Sequence, residues 1–151
     1  MVVSPDVGST ARARAFAMKL GVNMAIVDKR RERANQSEVM NIIGSVEGKT
    51  CILLDDIVDT AGSLCGAAKA LQEVGGAKEI YACVSHGVLS GPAIPRIEQS
   101  CIKSLFLLDT IPYPNNQPKL EKISYISAAP VFAEAIRRIY EEVSIANMFD
   151  T

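Results

Sequence analysis

The sequence predicts an α/β domain built on a parallel sheet flanked by helices. Three observations predict it. Short β-rich runs alternate with helical stretches almost from end to end of the 151 residues. The runs are continuously apolar, as strands buried on both faces require, instead of alternating apolar with polar. The helical stretches carry the punctuation of real helices, with glycine just past an end or proline in a first turn.

"MVV" (1 to 3) is the first strand and leads into the turn-forming "SPDVGST". Ala11 to Leu20 is rich in helix formers and is closed by Gly21. "MAIV" (24 to 27) is the second strand, and the charged stretch "DKRRERANQS" (28 to 37) follows it. "CILL" (51 to 54) is the third strand, followed by a helix from about Gly62 to Val74, which Gly75 and Gly76 stop. "IYACVS" (80 to 85) and "SLFLL" (104 to 108) are the fourth and fifth strands. A shorter segment, "ISYIS" (123 to 127), precedes the last helix, Pro130 to about Glu142. The turn-rich "TIPYPNNQPKLEK" (110 to 122) is the one long irregular connection.

Composition narrows the class. The chain is 48% hydrophobic and 22% charged with net charge −1, which fits one ordinary domain able to bury its own core. No run is long and apolar enough for a membrane span, and no secretory leader is legible. Cys51, Cys65, Cys83 and Cys101 are widely spaced, and none belongs to a C-x-x-C pair. They read as free thiols, which suits a reducing cytoplasm. Balanced charge argues against a nucleic-acid partner.

Chemistry concentrates where strands end, the edge at which ligands bind in such sheets. Asp6, Lys29, Asp55, Asp56 and Asp109 all sit near strand ends. The decisive stretch is "CILLDDIVDTAGS" (51 to 63). The small residues of Asp59-Thr60-Ala61-Gly62-Ser63 allow the backbone to curl with its N–H groups inward. The helix that follows adds positive partial charge, and Thr60 and Ser63 add hydroxyls, a cradle for phosphate. No Walker-type lysine is present. Asp55 and Asp56 would repel an anion, but they can accept hydrogen bonds from vicinal hydroxyls or hold hydrated Mg²⁺. A sugar phosphate satisfies both ends.

Other readings stand beside this one. Asp59 or Ser63 can serve simply as a helix N-cap. A receiver domain of a phosphorelay also has an acidic pair after an apolar strand, with Asp109 posing as its phosphoacceptor. That fold would leave roughly fifty leading residues unused and lack strands after Asp109. The run "KRRER" can be a solvated charged loop. Its polarity and lack of apolar periodicity point to a mobile loop over 28 to 37. His86, the only histidine, has no carboxylate near it in sequence, so it reads as a structural or contact residue and not as a general base.

At this point the residues resemble a known family. "CILLDDIVDTAGS" is similar to the phosphoribosyl-diphosphate motif of the type I phosphoribosyltransferase fold. The whole chain resembles the C-terminal half of the ribose-phosphate diphosphokinases, through "VVSPDVGSTARARAFA", "DKRRERANQSEVMNIIGSVEGK", "SHGVLSGPA" and "SIANMF". The resemblance implies transfer of diphosphate from ATP to O1 of ribose 5-phosphate, with Mg²⁺ and a homo-oligomeric (in the family hexameric) assembly. It implies that Asp59, Thr60, Ala61, Gly62 and Ser63 bind the 5-phosphate, and that Asp55, with Asp56 beside it, binds the ribose. Lys29 matches the catalytic lysine and Arg31 its partner, with Arg30 and Arg33 nearby. Asp6 matches a carboxylate that helps hold Mg²⁺. Ser144 to Phe149 matches a segment of an allosteric site between subunits.

The likeness also implies one domain, 1 to 151, lacking the N-terminal half that supplies most of an ATP pocket. Two positions depart from the family pattern. Ser9 replaces the second glycine of "PD-x-GG", where it would stiffen the turn, and Ala146 replaces a serine. A phosphoribosyltransferase acting on a base ranks second, since it would have no use for "SHGVLSGPA". A non-catalytic subunit that keeps the binding loop ranks third.

Overall fold

The computed structural model describes residues 1–30, 39–115 and 117–149. Seven strands form one sheet: β1 (Val2–Ser4), β2 (Met24–Arg30), β3 (Val39–Ile43), β4 (Thr50–Val58), β5 (Glu79–Gly87), β6 (Ile102–Leu108) and β7 (Ile123–Ile126). Among the described residues α1 (Thr10–Leu20), α2 (Gly62–Glu73) and α3 (Ala93–Gln99) connect strands, and α4 (Ala129–Tyr140) follows the last one, with a 3₁₀ turn at Ala146–Met148. The strand order is β3-β2-β1-β4-β5-β6-β7. Every pairing is parallel except that of β2 with β3.

The expected α/β class and five principal strands are present, and "ISYIS" is a full edge strand. Two elements were not anticipated. β3 has the mixed sequence VMNII and forms an antiparallel edge against β2, Ile26 opposite Ile43 through Arg30 opposite Val39. As a result, Asp28, Lys29 and Arg30 continue strand β2 and do not begin a loop. The second is α3, whose seven residues include a proline, too little for a helical period to show.

The core lies mainly on one face of the sheet. Leu64, Ala67, Ala68 and Leu71 form the buried stripe of α2, and Ile94 and Ile97 extend it from α3. They close over Val3, Val27, Leu53, Ile80, Ala82 and Leu105. Each large aliphatic side chain so buried contributes about 1.5–3 kcal/mol. On the other face the buried residues of α1 are alanines, Ala13 and Ala17, which pack against Val2 with Phe16 partly buried beside them. Gly21 ends α1 in the left-handed region at φ 62°, its N–H donating back into the last turn.

Helices flank the sheet as expected, and among the described residues the cover on the α1 face is partial. Beside α1 an apolar groove of about 460 Å³ runs over Leu54, Cys83, Phe106 and Ile126. No side chain of α4 is buried, and Phe132, Ile136, Ile139 and Tyr140 form an exposed stripe along it. Its polar side is an ion-pair network in which Arg137 and Arg138 hold the Glu134 carboxyl down at about 2. All four cysteines are free, and no helix of the described residues is long and apolar enough to cross a membrane.

The exit from α2 is the tightest joint. A Cβ on Gly75 would stand 2.4 Å from Val46 Cγ2, 2.7 Å from Ile42 Cδ1 and 2.8 Å from the Leu71 carbonyl oxygen. Backbone cannot yield as a side-chain tip does. Gly75→Ala should therefore cost about 1–3 kcal/mol, read as a lowered denaturant midpoint with an unchanged m-value.

Candidate functional site

The site is created by a difference in strand length. β1 is only three residues long and pairs with β4 through Val2–Ile52 and Val3–Leu53. β4 runs on for five more residues to Val58, supported on its other side by β5, with Asp55 opposite Val84, Ile57 opposite His86 and Val58 opposite Gly87. The flank of β4 that faced β1 is thereby opened. β1 and β4 are also where the order of the sheet reverses, the position at which open α/β sheets bind ligands. Sequence reasoning ended the strand at Leu54. The ladder to β5 carries it through both aspartates despite their poor β-propensity.

Into this opening project the carboxylates. Asp55 Oδ1 accepts from the Asp56 backbone N–H at 2.9 Å and from the Ser9 hydroxyl at 3.3 Å. Arg12, from the first turn of α1, donates to Asp56 Oδ2 at 2.8 Å and lies 3.8 Å from Asp55 Oδ1. Asp6 Oδ1 accepts the Ser9 N–H at 2.7 Å, and the Ser4 hydroxyl donates to the Asp6 carbonyl at 2.7 Å, which fixes the turn from β1 into α1. Ser9 sits at φ −85°, a conformation open to any residue. A glycine is not needed there, and the hydroxyl gains a partner.

The paired carboxyls titrate in opposite directions. Burial pushes Asp55 up, and the neighbouring Asp56 and Asp6 charges push the same way, against the hydrogen bond from the Asp56 amide. For Asp56 desolvation acts upward too, but the Arg12 guanidinium and the contact with Asp55 prevail and hold it below the usual carboxylate range. One carboxyl is thus costly to ionise while its neighbour stays charged.

Past Val58 the chain turns through Asp59, Thr60 and Ala61 into α2. Ala61 stands in the left-handed region at φ 59° with its side chain buried. A non-glycine residue held there marks a backbone shape fixed by its surroundings. The first bond within α2 runs from Cys65 N–H to the Ala61 carbonyl, so Gly62, Ser63 and Leu64 leave their N–H groups at the mouth of the helix. Asp6, Ser9, Asp55, Asp56 and the whole turn from Ile57 to Leu64 line one cavity of about 280 Å³. Acidic pair and amide cradle therefore share a single space.

The structure brings together Asp6, Asp55, Asp56, Asp59, Thr60, Ala61, Gly62 and Ser63, all the expected site residues outside 28 to 37. Lys29 is placed by its backbone in β2, opposite Met40. Arg31 and Arg33 lie outside the described residues, as do the other residues from 31 to 37 of the mobile loop expected over 28 to 37. His86 lies within β5, and its Nδ1 is 2.8 Å from Thr110 Oγ1. Because that hydroxyl donates to the Ser85 carbonyl at 3.1 Å, the imidazole is the donor, tying β5 to the loop after β6. Asp109 cannot pose as a phosphoacceptor: it accepts from the Ala128 N–H and the Ser127 hydroxyl at 2.7 Å each, which lowers its pKa. Near the C-terminus the Ser144 hydroxyl accepts from the Ala146 N–H at 3.2 Å.

Arg12 was missed. Its signal was available, since it lies three residues after Ser9 and therefore on the same helical face.

Residues 29–150 match the family model described as "Phosphoribosyl synthetase-associated domain". The chain belongs to this family. It is 56% identical over 150 residues to a protein named ribose-phosphate pyrophosphokinase in Clostridium tetani, covering 99% of this chain and 46% of that protein. It is 58% identical over 149 residues to one of the same name in Caldanaerobacter subterraneus, with the same coverages. A solved phosphoribosylpyrophosphate synthetase from Mycobacterium smegmatis superposes with a TM-score of 0.84 at 36% identity, over 93% of this chain and 45% of that one. An adenine phosphoribosyltransferase structure from Giardia lamblia, at 22% identity and a TM-score of 0.57 over 70% of this chain and 66% of that one, shares the fold alone. The chain spans about half the length of the relatives it matches.

The raised Asp55 pKa has a stability consequence. A carboxyl whose folded pKa is raised favours the fold below its unfolded pKa, near 3.8, and that contribution is lost as pH rises through the folded value. Asp55→Asn should accordingly raise the melting temperature at pH 7, and the gain should shrink as pH falls through the acid range. Thermal melts of both proteins from pH 3 to pH 7 check this.

Proposed function

We propose that the chain is the ribose-phosphate-binding half of a ribose-phosphate diphosphokinase, moving the diphosphate of ATP onto O1 of ribose 5-phosphate with release of AMP. The observation that supports this reading best is the single cavity in which a buried acidic pair adjoins a helix-mouth amide cradle. Amides of the turn and of the first residues of α2, with the Thr60 and Ser63 hydroxyls, take the 5-phosphate. Asp55, partly shielded and tethered by Ser9, accepts from the ribose hydroxyls with Asp56 beside it. This positions the sugar so that its O1 faces out of the cavity toward the diphosphate donor. As O1 attacks the β-phosphorus and the bond to AMP breaks, negative charge gathers on the phosphoryl oxygens, where Lys29 and Arg31 would stabilise it.

Carboxylates suit a hard cation, and Asp6, Asp55 and Asp56 face one space. Among the described residues no three such groups converge on one point. Mg²⁺ would accordingly take most of its ligands from phosphates and water, and would supply charge neutralisation. A second unit of the longer architecture would complete the ATP pocket. The exposed apolar stripe of α4 is in keeping with a homo-oligomer.

The direct test is titration of the purified chain with ribose 5-phosphate, followed by amide NMR shifts. Shifts confined to 59–64 and the Asp55 region are expected, and Asp55→Asn should weaken the sugar phosphate while leaving inorganic phosphate binding unchanged. An unperturbed spectrum at saturating ligand would overturn the reading. In a chain joined to its second unit, Lys29→Ala should lower kcat by about 10²–10³ with ribose 5-phosphate affinity retained. Unchanged turnover would remove Lys29 from the reaction.

A further inference from the structure

We infer that the segment from Val88 to Arg96 is a positioning brace that turns the amides of the phosphate cradle inward, and that Arg96 and Ser90 are its two side-chain clamps. The inference rests on the reading that the cradle holds phosphate. Three successive carbonyls at the start of the turn are each held from the same side. The Val58 oxygen accepts from the Val88 and Leu89 N–H groups at 3.0 and 3.2 Å, and the Asp59 oxygen accepts from the Ser90 N–H at 3.1 Å. The Thr60 oxygen accepts from Arg96 Nη1 at 3.0 Å. The Ser90 hydroxyl also donates to the Asp59 carboxylate in a very short contact.

The consequence follows from peptide planarity. In a trans peptide, the C=O of one residue and the N–H of the next point in opposite directions. Holding the oxygens of Val58, Asp59 and Thr60 on the brace side therefore directs the N–H groups of Asp59, Thr60 and Ala61 away from the brace. Those residues line the cavity. Ser90 thus holds Asp59 twice, its N–H on the carbonyl and its hydroxyl on the carboxylate.

The brace is itself held in shape. Leu89 is buried at φ 53°, and Gly91 follows at φ 54°. Pro92 then starts α3, whose first turn begins with the Ala93 N–H bonded to the Ser90 carbonyl at 3.1 Å. Arg96 is the only one of the clamps that carries a charge, and its guanidinium would lie 3.5 Å from a Cβ on Gly62. It therefore sits against the first residue of α2, adding positive potential behind the cradle. Arg96 does not touch the ligand in this account. It acts through the Thr60 peptide.

The test compares Arg96→Ala, Arg96→Lys and Ser90→Ala with the parent chain, using ribose 5-phosphate, inorganic phosphate and free ribose as separate probes, with amide hydrogen exchange of residues 59–63. Arg96→Ala should weaken ribose 5-phosphate and inorganic phosphate by the same factor, about tenfold for a lost charge-assisted hydrogen bond. Binding of free ribose should not change. Exchange should accelerate at Ala61 and its neighbours and nowhere else in α2, and Arg96→Lys should restore most of the phosphate affinity. Ser90→Ala should weaken both phosphate ligands in the same ratio. Equal weakening of free ribose, or unchanged phosphate affinity and exchange in both Arg96→Ala and Ser90→Ala, would overturn the brace. If Arg96→Ala does not fold, the Ser90→Ala comparison decides alone. If the parent chain binds neither phosphate ligand, the sugar-phosphate reading fails, whereas the exchange data still report on the brace.

Discussion

The pairing of β4 with β5 over nine residues is the constraint on which the rest of the molecule depends. Because β1 stops after three residues, β4 can continue only if its other neighbour goes with it, and β5 does so as far as Gly87. That one-sided ladder lifts two aspartates out of the sheet's centre and holds them rigidly at an open flank. It also determines where the turn into α2 begins, since Val58 is the last residue of the ladder and Asp59 the first of the turn. A site placed on the end of a strand inherits the strand's stiffness, and this gives the acidic pair a defined geometry before any ligand arrives.

Electrostatics at this flank run against stability. Burial and two neighbouring charges make Asp55 reluctant to ionise, and only Arg12, Ser9 and one backbone amide counter them. A fold selected for persistence alone would place an amide or an apolar residue there. Such local conflict is what functional positions look like when the remainder of a chain is internally consistent. Hydroxyl groups of a sugar would relieve the conflict by donating to the carboxylate.

Much of this was legible in the residues. The continuous apolar runs pointed to the parallel sheet, Gly21, the pair Gly75 and Gly76, and Pro130 to helix ends, and the small residues of "DTAGS" to a tight turn opening a helix. What stayed hidden had physical causes. VMNII lacks a clear period and borrows its strand character from β2, while seven residues of α3 cannot display helical periodicity. The reach of β4 through Asp55 and Asp56 was set by a partner twenty-nine residues away, Val84 opposite Asp55, so local propensity pointed the wrong way. Arg12 shares the helical face of Ser9, a signal that the alternation of alanine and arginine around it obscured, and only the approach of β4 shows its partners, Asp55 and Asp56. The brace was quoted as a motif, but its contacts with the cradle are tertiary and have no local signature.

The left-handed alanine at the cradle has an outcome at the level of sequence variation. Ala61 holds a positive φ, which β-branched residues resist, and it is buried in the core with 4% exposure. Asparagine and aspartate tolerate the torsion but would bury polar atoms without partners. Glycine meets the torsion outright and alanine meets the burial, so exchange between these two is the substitution that position 61 accommodates most readily.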